Sequence, residues 1–357
     1  MLKPSSLRPS LSWLLVFIPV SLLAGPLTHR PVVVFVTTCL AIVPLAGLIG
    51  QATDQLAIRA GPRVGGLLNA TFGNVTELII AVLLVRAGEF EVVKASLVGS
   101  ILGNLVLVLG AAYLAGGLRF SEQRFSARMA AVHASSLLLA VTALMMPAVF
   151  VLSQPDTRAE REVISVTVAA VLIVLYGASL LFTLVTHSRR LRTFRSPAEE
   201  ERPEWSLPRA VVVLLLAAVA VGVESELLVG SLEPTVLALG VSRLFVGLFV
   251  VAVVGNAAEH AAAVVFALRN RMDVSIEIAF GSSIQIALLV APLLVFVSLA
   301  LGRPMDFVFA VPEIAAVALA TLVVSVISMD GRSTWLEGLQ LLGVYIILGV
   351  SLFYIRA

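Results

Sequence analysis

The chain has 357 residues, of which 59% are apolar and 13% are charged. Soluble domains are about 45–50% apolar and about 25% charged, so this composition excludes an ordinary soluble enzyme, a disordered chain and a nucleic-acid-binding protein. The net charge of +2 shows no strong excess of either sign, and the single cysteine, Cys39, excludes a disulfide framework and a cysteine metal cluster. The length suits about eleven membrane spans of roughly 20 residues joined by short loops.

Eleven apolar runs, separated by charged or turn-rich segments, follow one another along the chain. Most are long enough to cross a hydrocarbon core of about 30 Å as helices. They lie at about 11–27, 31–50, 67–85, 95–118, 129–152, 163–187, 209–231, 241–268, 275–301, 305–328 and 335–355. The first run follows Lys3 and Arg8 as a signal peptide would, but the Gly25-Pro26-Leu27 segment is a poor cleavage site, so we expect a retained helix. The pattern predicts an all-α, polytopic membrane protein.

The Lys and Arg residues of the loops indicate the orientation in the membrane. With the N-terminus in the cytoplasm, 16 of the 24 basic residues fall in cytoplasmic segments and 8 in outer ones, which predicts a cytoplasmic N-terminus. The only long polar stretch, 188–208, carries an arginine cluster and is expected to be a cytoplasmic linker. Its acidic strip could bind Ca²⁺ in a regulatory role, although a solvated linker of mixed charge is the simpler interpretation. The strip consists of Glu199, Glu200, Glu201 and Glu204.

Two short motifs recur in the two halves of the chain at one offset. GNVTE at 73–77 is matched by GNAAE at 255–259, and Gly-Ser at 99–100 is matched at 281–282, both with an offset of 182 residues. Two matches at one offset indicate a duplicated unit of five spans. Because five is odd, the second unit would enter the membrane from the other side, which predicts inverted-topology repeats with a site at the midplane between them. We expect an extra transmembrane helix in 1–30, a first repeat in 31–187, the linker in 188–208 and a second repeat in 209–357.

Two glutamates, Glu77 and Glu259, occupy the middle of apolar spans at equivalent repeat positions. A charged side chain at the bilayer centre costs about 2.5–3.5 kcal/mol, so such residues normally face a partner or a watery cavity. In both units an asparagine on the same helix face precedes the glutamate, and a glycine precedes the asparagine. These residues are Gly73, Asn74, Gly255 and Asn256. We expect the glycines to permit helix breaks that expose backbone carbonyls to a cavity.

The next span of each half adds hydroxyl and amide groups on one side. They belong to Ser100, Asn104, Ser282 and Gln285. Such hard oxygen ligands suit Ca²⁺, which takes about six to eight oxygens, whereas soft metals would favour Cys or Met. Two carboxylates neutralise one divalent ion, and without the ion their mutual repulsion in a poorly solvated place favours protonation. We therefore expect Ca²⁺ and protons to compete for the two glutamates. Helix–helix packing is the alternative role for the Asn and Ser residues.

The remaining polar residues of the spans carry weaker expectations. His260 could tune Glu259 or relay a proton, or it could be a hydrogen-bonded packing residue, while His133 is expected to be structural. Three further acids near span ends could guard the ion entrances or be solvated at the interface. They are Asp54, Glu224 and Glu226. No role is expected for Glu313.

Two long segments resemble the repeats of a known transporter family. Residues 65–110, GGLLNATFGNVTELIIAVLLVRAGEFEVVKASLVGSILGNLVLVLG, resemble the first repeat of the cation/proton exchangers called CAX. Residues 253–295, VVGNAAEHAAAVVFALRNRMDVSIEIAFGSSIQIALLVAPLLV, resemble their second repeat, and the tail DGRSTWLEGLQLLGVYIILG at 330–349 fits as well. These exchangers are Ca²⁺/H⁺ antiporters within the Ca²⁺/cation antiporter superfamily. The resemblance covers most of 31–357.

The resemblance implies one extra helix plus two inverted five-helix units, with Glu77 and Glu259 as the transport carboxylates. The neighbouring family positions are matched by Asn74, Asn256, Ser100, Asn104, Ser282, Gln285 and His260. Two positions depart from the family pattern. Asp54-Gln55 stands where two glutamates are common, and Arg243 stands where a glutamate is common, which puts cation affinity or preference there in doubt.

The main hypothesis is a secondary transporter, not an enzyme, that exports cytoplasmic Ca²⁺ in exchange for H⁺. Na⁺-coupled exchange, or transport of Mn²⁺ or another divalent cation, is the close alternative, although Na⁺ sites would want further oxygen ligands. An intramembrane hydrolase and a channel are alternatives of other classes. The duplicated frames are not needed for a hydrolase, and a pseudo-symmetric site favours alternating access over a channel. Expected partners are the lipid bilayer and the two ions, with no nucleic acid; homo-oligomer formation stays open. The short ends suggest a prokaryotic plasma membrane.

Overall fold

The computed structural model describes residues 11–154, 158–186 and 203–355, which are nearly all helical. Nine helices in these ranges are long and apolar enough to cross a membrane. They are Pro31–Gly61, Phe90–Arg119, Ala127–Ser153, Ala159–Val185, Leu207–Leu239, Arg243–Leu268, Met272–Ala300, Val311–Asp330 and Trp335–Phe353. A shorter apolar helix covers Trp13–Thr28. The prediction of an all-α, polytopic membrane protein is confirmed.

The helices follow one another with short connections. In chain order they are α1 (Phe17–Thr28), α2 (Pro31–Phe72), α3 (Val75–Ala87), α4 (Phe90–Leu102), α5 (Leu109–Arg119), α6 (Ala127–Ser153), α7 (Arg158–Leu181), α8 (Leu207–Leu239), α9 (Arg243–Phe245), α10 (Ala252–Leu268), α11 (Met272–Gln285), α12 (Ala291–Ala300), α13 (Val311–Ile327) and α14 (Trp335–Phe353). Within the described ranges, π-helical segments lie at Gly103–Val108, Phe182–Thr186, Val246–Val251 and Ile286–Val290, and 3₁₀ turns lie at Leu11–Val16 and Ser328–Asp330. The strands β1 (Gln123–Arg124) and β2 (Arg332–Ser333) pair antiparallel.

The third predicted span, 67–85, is divided between two helices. α2 contains a kink at Gly61, whose φ of 79° and ψ of 174° are non-helical, and it ends at Phe72. Only glycine adopts such a φ readily, so the kink follows from the residue type. α3 begins at Val75, which leaves Gly73 and Asn74 between the two helices. Residues 62–72 therefore form a half-helix with a backbone irregularity at each end.

Helix boundaries recur at the offset of 182 residues that the sequence motifs share. α4, α5 and the π-helical segment between them cover Phe90–Arg119, and α11, α12 and their π-helical segment cover Met272–Ala300. The segments Gly103–Val108 and Ile286–Val290 occupy equivalent positions. Such segments often occur at functional sites. This agreement supports a duplicated unit, while the division of the chain at 188–208 stays a prediction because only 203–208 of that linker is described.

Contacts between loops show which loops lie at the same end of the helix bundle. At one end β1 pairs with β2, and Gln123 Nε2 donates to Ala267 O at 2.9 Å. We call this end the strand face. At the other end Lys94 pairs with Asp306, and Arg243 pairs with Glu233 at 2.8 Å. We call that end the Lys94 face, and successive long helices run alternately between the two faces.

The first helices of the two units start at opposite faces. α8 ends near Glu233 at the Lys94 face, so its start beside Trp205 lies at the strand face. The Trp205 N–H donates to Gln55 Oε1 at 3.0 Å, which places the later part of α2 at the strand face as well. Because Pro31–Gly61 is about 45 Å long at about 1.5 Å per residue, its start lies at the Lys94 face. The two units therefore have inverted topology.

The two first helices pack against each other and form a cluster separate from the main core. Leu45 and Ile49 of α2 meet Leu214 and Val221 of α8, and the N-terminal helix contributes Ile18. The main core contains residues of α3, α4, α10 and α11. Most of the polar residues predicted for the central site lie on these four helices, while Asn74 directly precedes α3 and Asn104 lies in the π-helical segment Gly103–Val108.

Candidate functional site

The first half of the site is built around the break between α2 and α3. A Cβ atom on Gly73 would lie 2.6 Å from Asn69 O, so no side chain fits at this turn. Asn74 follows it and is 3% exposed. Glu77 lies in the first turn of α3, where the helix dipole and free backbone N–H groups favour a negative charge. The break therefore places a carboxylate at a helix N-terminus inside the bundle.

The second half of the site differs from the first because its helix is not broken at the motif. α10 runs continuously from Ala252 to Leu268 through Gly255 and Glu259, so the expectation of a break at Gly255 is wrong. The stretch NAAEHAAA is rich in alanine, the best helix former, whereas the first motif has Val75 and Thr76 where the second has Ala257 and Ala258. The irregularity of this unit is the preceding π-helical segment, Val246–Val251.

Gly255 serves the site by its small size. A Cβ atom there would lie 3.0 Å from Glu77 Cγ and 3.5 Å from Glu77 Oε1. The side chain of Glu77 thus rests directly on the backbone of α10. This contact joins the carboxylate of one unit to the helix that carries Glu259 of the other.

Hydrogen bonds between the units connect the other predicted residues. Asn74 Nδ2 donates to Gln285 Oε1 at 2.5 Å, and Asn256 Nδ2 donates to Ser100 Oγ at 2.9 Å. The two asparagines occupy equivalent repeat positions, and each reaches the other unit. These hydrogen bonds connect polar residues that belong to two separate repeat motifs in the sequence.

The second glutamate and the histidine after it have partners of their own. Ser282 Oγ donates to Glu259 Oε2 at 2.5 Å. His260 Nε2 lies 3.1 Å from Asn104 Oδ1, which again links the two units. Glu77, Glu259, His260 and Gln285 are each partly exposed, whereas the asparagine and serine partners are buried.

Several oxygens at this site are buried and have no hydrogen-bond partner among the described residues. They are Asn74 Oδ1, Asn256 Oδ1 and Glu77 Oε2. Buried polar atoms are nearly always paired, so three unpaired oxygens on residues of one site need an explanation. In both asparagines the amide nitrogen already donates a hydrogen bond, which leaves the oxygen free to coordinate a cation or to accept a hydrogen bond.

The two carboxylates lie close enough for mutual electrostatic repulsion, and Asp54 of α2 adds a third negative charge within range of Glu259. No Lys or Arg in the described part of the chain forms an ion pair with Glu77 or Glu259. That part also contains no group of three or more His, Cys, Asp or Glu residues able to hold a metal ion. A divalent cation here would need amide, hydroxyl or backbone oxygens in addition to the two carboxylates.

The surroundings of the site differ on its two sides. Toward the strand face, Glu277 of α11 is exposed, and Gly281 and Gln285 on the same helix face are partly exposed. Their equivalents lie toward the Lys94 face and are buried. They are Ala95 and Gly99 of α4 and Gly103, which begins the following π-helical segment. A small cavity on that side is lined by Glu77, Ser96, Ser100 and neighbouring apolar residues. The site therefore opens toward the strand face.

The three predicted entrance acids lie in different environments. Asp54 is exposed and lies within electrostatic range of Glu259. The expectation that Glu224 lies near a span end is wrong, because α8 continues to Leu239; the residue is 1% exposed and accepts a hydrogen bond from Ser21 Oγ at 2.8 Å. Glu226 is exposed and pairs with Arg86. Only Asp54 is brought near the central pair.

Other polar residues considered in the sequence analysis have partners away from the central site or at helix ends. Arg243 pairs with Glu233, and its Nε lies 3.6 Å from Glu89 Oε2 at the Lys94 face. Glu313 Oε2 accepts from Ala310 N at 2.8 Å and so caps α13. In the acidic strip, Glu204 is exposed, and Glu199, Glu200 and Glu201 lie outside the described residues.

Glu277, a polar residue on the open side of the site, was not predicted from the sequence. His133 Nε2 lies 3.4 Å from Glu277 Oε2, and the His133 ring stacks on Phe280 at 5.9 Å between centroids. Glu277 lies eight residues before Gln285 on one helix face, which is the signal that could have placed it near the site.

Inverted repeats with paired carboxylates between them are typical of secondary transporters. A sequence model of the sodium/calcium exchanger protein family matches residues 30–185 and 209–354. The chain therefore belongs to the sodium/calcium exchanger protein family.

Similar proteins narrow this assignment. A Ca²⁺/H⁺ antiporter of Aphanothece halophytica is 46% identical over 355 residues, covering 96% of this chain and 95% of the relative. The Ca²⁺/H⁺ antiporter ChaA of Bacillus subtilis is 42% identical over 340 residues, covering 94% of this chain and 96% of the relative. The solved structure of native YfkE has a TM-score of 0.85 and 37% identity, covering 97% of this chain and 100% of that one. The resemblance to cation/proton exchangers noted from the sequence motifs is confirmed.

Proposed function

We propose that this protein is a secondary transporter that exports Ca²⁺ from the cytoplasm in exchange for H⁺. The observation that carries the proposal is the pair of glutamates from equivalent repeat positions, surrounded by oxygens without partners. The identity of 42–46% over nearly the whole length to proteins named Ca²⁺/H⁺ antiporters supports the choice of ions. Transport of this kind needs no covalent step, so we infer that the protein is a transporter and not an enzyme.

Competition for one set of oxygens would couple the two ions. The Ca²⁺ ligands would be Glu77, Glu259 and the free amide oxygens of Asn74 and Asn256, which matches the preference of Ca²⁺ for oxygen. Without the cation, two carboxylates with no basic partner repel each other, and proton binding relieves that repulsion. One site therefore holds either Ca²⁺ or protons, so loading of one requires release of the other.

Alternating access would carry the loaded site across the membrane. The difference in exposure between the two sides of the site is what one of two access states requires. If the predicted orientation holds, the strand face is cytoplasmic, and the described state takes up Ca²⁺ from the cytoplasm through the opening beside Asp54 and Glu277. We place the protein in a prokaryotic plasma membrane with its N-terminus in the cytoplasm.

Ion flux into vesicles tests the proposal. Purified protein is reconstituted into proteoliposomes, and ⁴⁵Ca²⁺ uptake is measured with an imposed pH gradient, with an imposed Na⁺ gradient, and with neither. Uptake should follow the pH gradient, and Glu77→Gln and Glu259→Gln should each abolish it. Uptake driven by Na⁺ alone would favour the sodium-coupled alternative, and stronger competition by Mn²⁺ than by Ca²⁺ would change the substrate. Flux that persists in both Gln variants would refute the proposed site.

A further inference from the structure

On the Lys94 side of the site, two helices touch through glycines. A Cβ atom on Gly99 of α4 would lie 2.2 Å from Leu248 O, and one on Gly247 would lie 2.6 Å from Ala95 Cβ. No real Cβ atom comes so close, so α4 and the segment Val246–Val251 can cross here only because both positions lack side chains. We call this contact the α4 crossing. It closes the site toward the Lys94 face.

The equivalent positions on the strand side do not touch. At the offset of 182 residues, Gly281 corresponds to Gly99, while Gly65 and Gly66 correspond to Gly247 and Leu248. A Cβ atom on Gly281 would have no heavy atom within 4 Å. A Cβ atom on Gly66 would instead lie 2.7 Å from Leu184 Cδ2, so the half-helix 62–72 rests against the end of the fifth helix of its own unit. Gly65 also packs within its own unit, because a Cβ atom there would lie 2.4 Å from Ala57 O. Gly99 is thus in contact with the other unit, whereas the equivalent position Gly281 is open.

The half-helix 62–72 has the joints that a moving element needs. Gly61 has a left-handed φ at one end, and Gly73 with Asn74 interrupts the helix at the other. Hinges are a few residues at the ends of elements that absorb large changes of backbone angle. Between these two points the half-helix can change its packing partner without unfolding α3, which carries Glu77.

We propose that Gly281 and Gly66 form a second crossing, the α11 crossing, when the site faces the other side of the membrane. This inference rests on the alternating access proposed above and names the residues that close the strand side. The half-helix 62–72 leaves Leu184 and packs on α11 as Val246–Val251 packs on α4 here, while the α4 crossing separates. Gly281 is then a residue that transport requires, although its Cβ position faces open space in the present state. Its missing side chain has no packing reason here, and glycine within a helix is destabilising relative to alanine.

A larger side chain at Gly281 should therefore fit the present state and block the alternate one. The test compares Gly281→Leu with Gly343→Leu, because Gly343 is also a partly buried helix glycine with no heavy atom within 4 Å of its Cβ position. Both are made in a Cys39→Ala background, which removes the only cysteine. Ser96→Cys reports access from the Lys94 side, and Ile278→Cys, at the equivalent repeat position, reports access from the strand side. A membrane-impermeant maleimide labels each reporter in oriented proteoliposomes.

Gly281→Leu should lower ⁴⁵Ca²⁺ exchange at least tenfold, while Gly343→Leu stays within about twofold of the background protein. It should also reduce labelling of the Ser96→Cys reporter from the Lys94 side at least fivefold and leave labelling of the Ile278→Cys reporter unchanged. Thermal unfolding of both variants should match the background protein.

Normal exchange in Gly281→Leu, or unchanged access to the Ser96→Cys reporter, overturns the α11 crossing. Equal loss of exchange in both Leu variants also overturns it, because the effect would then not be specific to Gly281. Failure of the background protein to exchange Ca²⁺ at all would instead refute the proposed function, so the two failures can be told apart.

Discussion

Replacing Gly255 by alanine should weaken Ca²⁺ binding without weakening the fold. The added Cβ would lie 3.0 Å from Glu77 Cγ and 3.4 Å from Glu77 Cδ, closer than comfortable packing allows. Alanine inside a helix is favoured over glycine by about 1 kcal/mol. Displacing a well-packed group costs about 1–3 kcal/mol, and here the group that must move is the transport carboxylate. At about 1.4 kcal/mol per tenfold, a cost of that size corresponds to about 5- to 150-fold in affinity.

The assay is the Ca²⁺ dependence of exchange in proteoliposomes, together with thermal unfolding of the purified protein. Gly255→Ala should raise the half-saturating Ca²⁺ concentration about tenfold while its unfolding temperature stays equal or rises. Gly343→Ala is the matched control, since nothing lies within 4 Å of its Cβ position. If Gly255→Ala leaves half-saturation unchanged, Glu77 does not need its contact with α10, and the reasoning fails.

Three other substitutions test the site and its limits. Ser282→Ala removes the hydroxyl that donates to Glu259, and a hydrogen bond to a charged group is worth about 1.5–3 kcal/mol. Protons should therefore inhibit Ca²⁺ exchange at higher pH than in the unaltered protein, which a pH series of initial rates would show. Arg243→Gln removes ion pairs at the Lys94 face worth about 0–1 kcal/mol, so the unfolding temperature and the half-saturating Ca²⁺ concentration should change little. A large gain in Ca²⁺ affinity would mean that this arginine lies on the ion route. Glu224→Gln should keep the half-saturating Ca²⁺ concentration within about twofold, because Glu224 accepts a hydrogen bond from Ser21 of the N-terminal helix. Loss of exchange would show instead that Glu224 belongs to the ion path.

The helical fold and the central residues follow from the sequence because burial in lipid restricts both. Apolar runs of about 20 residues cross a membrane as helices, and a carboxylate in such a run needs a specific reason to be there. Glu77 and Glu259 could therefore be named from position alone. Their neighbours at three- and four-residue spacing follow from the helical repeat, and the structure brings them into one site.

The differences between the two units could not be read from the repeat. GNVTE and GNAAE look equivalent, yet the helix breaks at the first and continues through the second. Val75 and Thr76 have a weaker helix preference than the two alanines of the second motif, but the break also depends on packing around the half-helix 62–72, which cannot be read from the motif. The ends of spans do not follow from the sequence either, because an apolar run does not mark where a helix ends. Glu224 is an example, since its helix continues to Leu239.

Proton release on Ca²⁺ binding tests the central claim most directly. Ca²⁺ is added to purified protein in weakly buffered solution near neutral pH, and the protons released and the Ca²⁺ bound are measured together. Because both ions are proposed to compete for the same carboxylates, Ca²⁺ binding should release protons, and Glu77→Gln and Glu259→Gln should each reduce both the release and the binding. Full Ca²⁺ binding without proton release, or release unchanged in the two variants, would contradict the account.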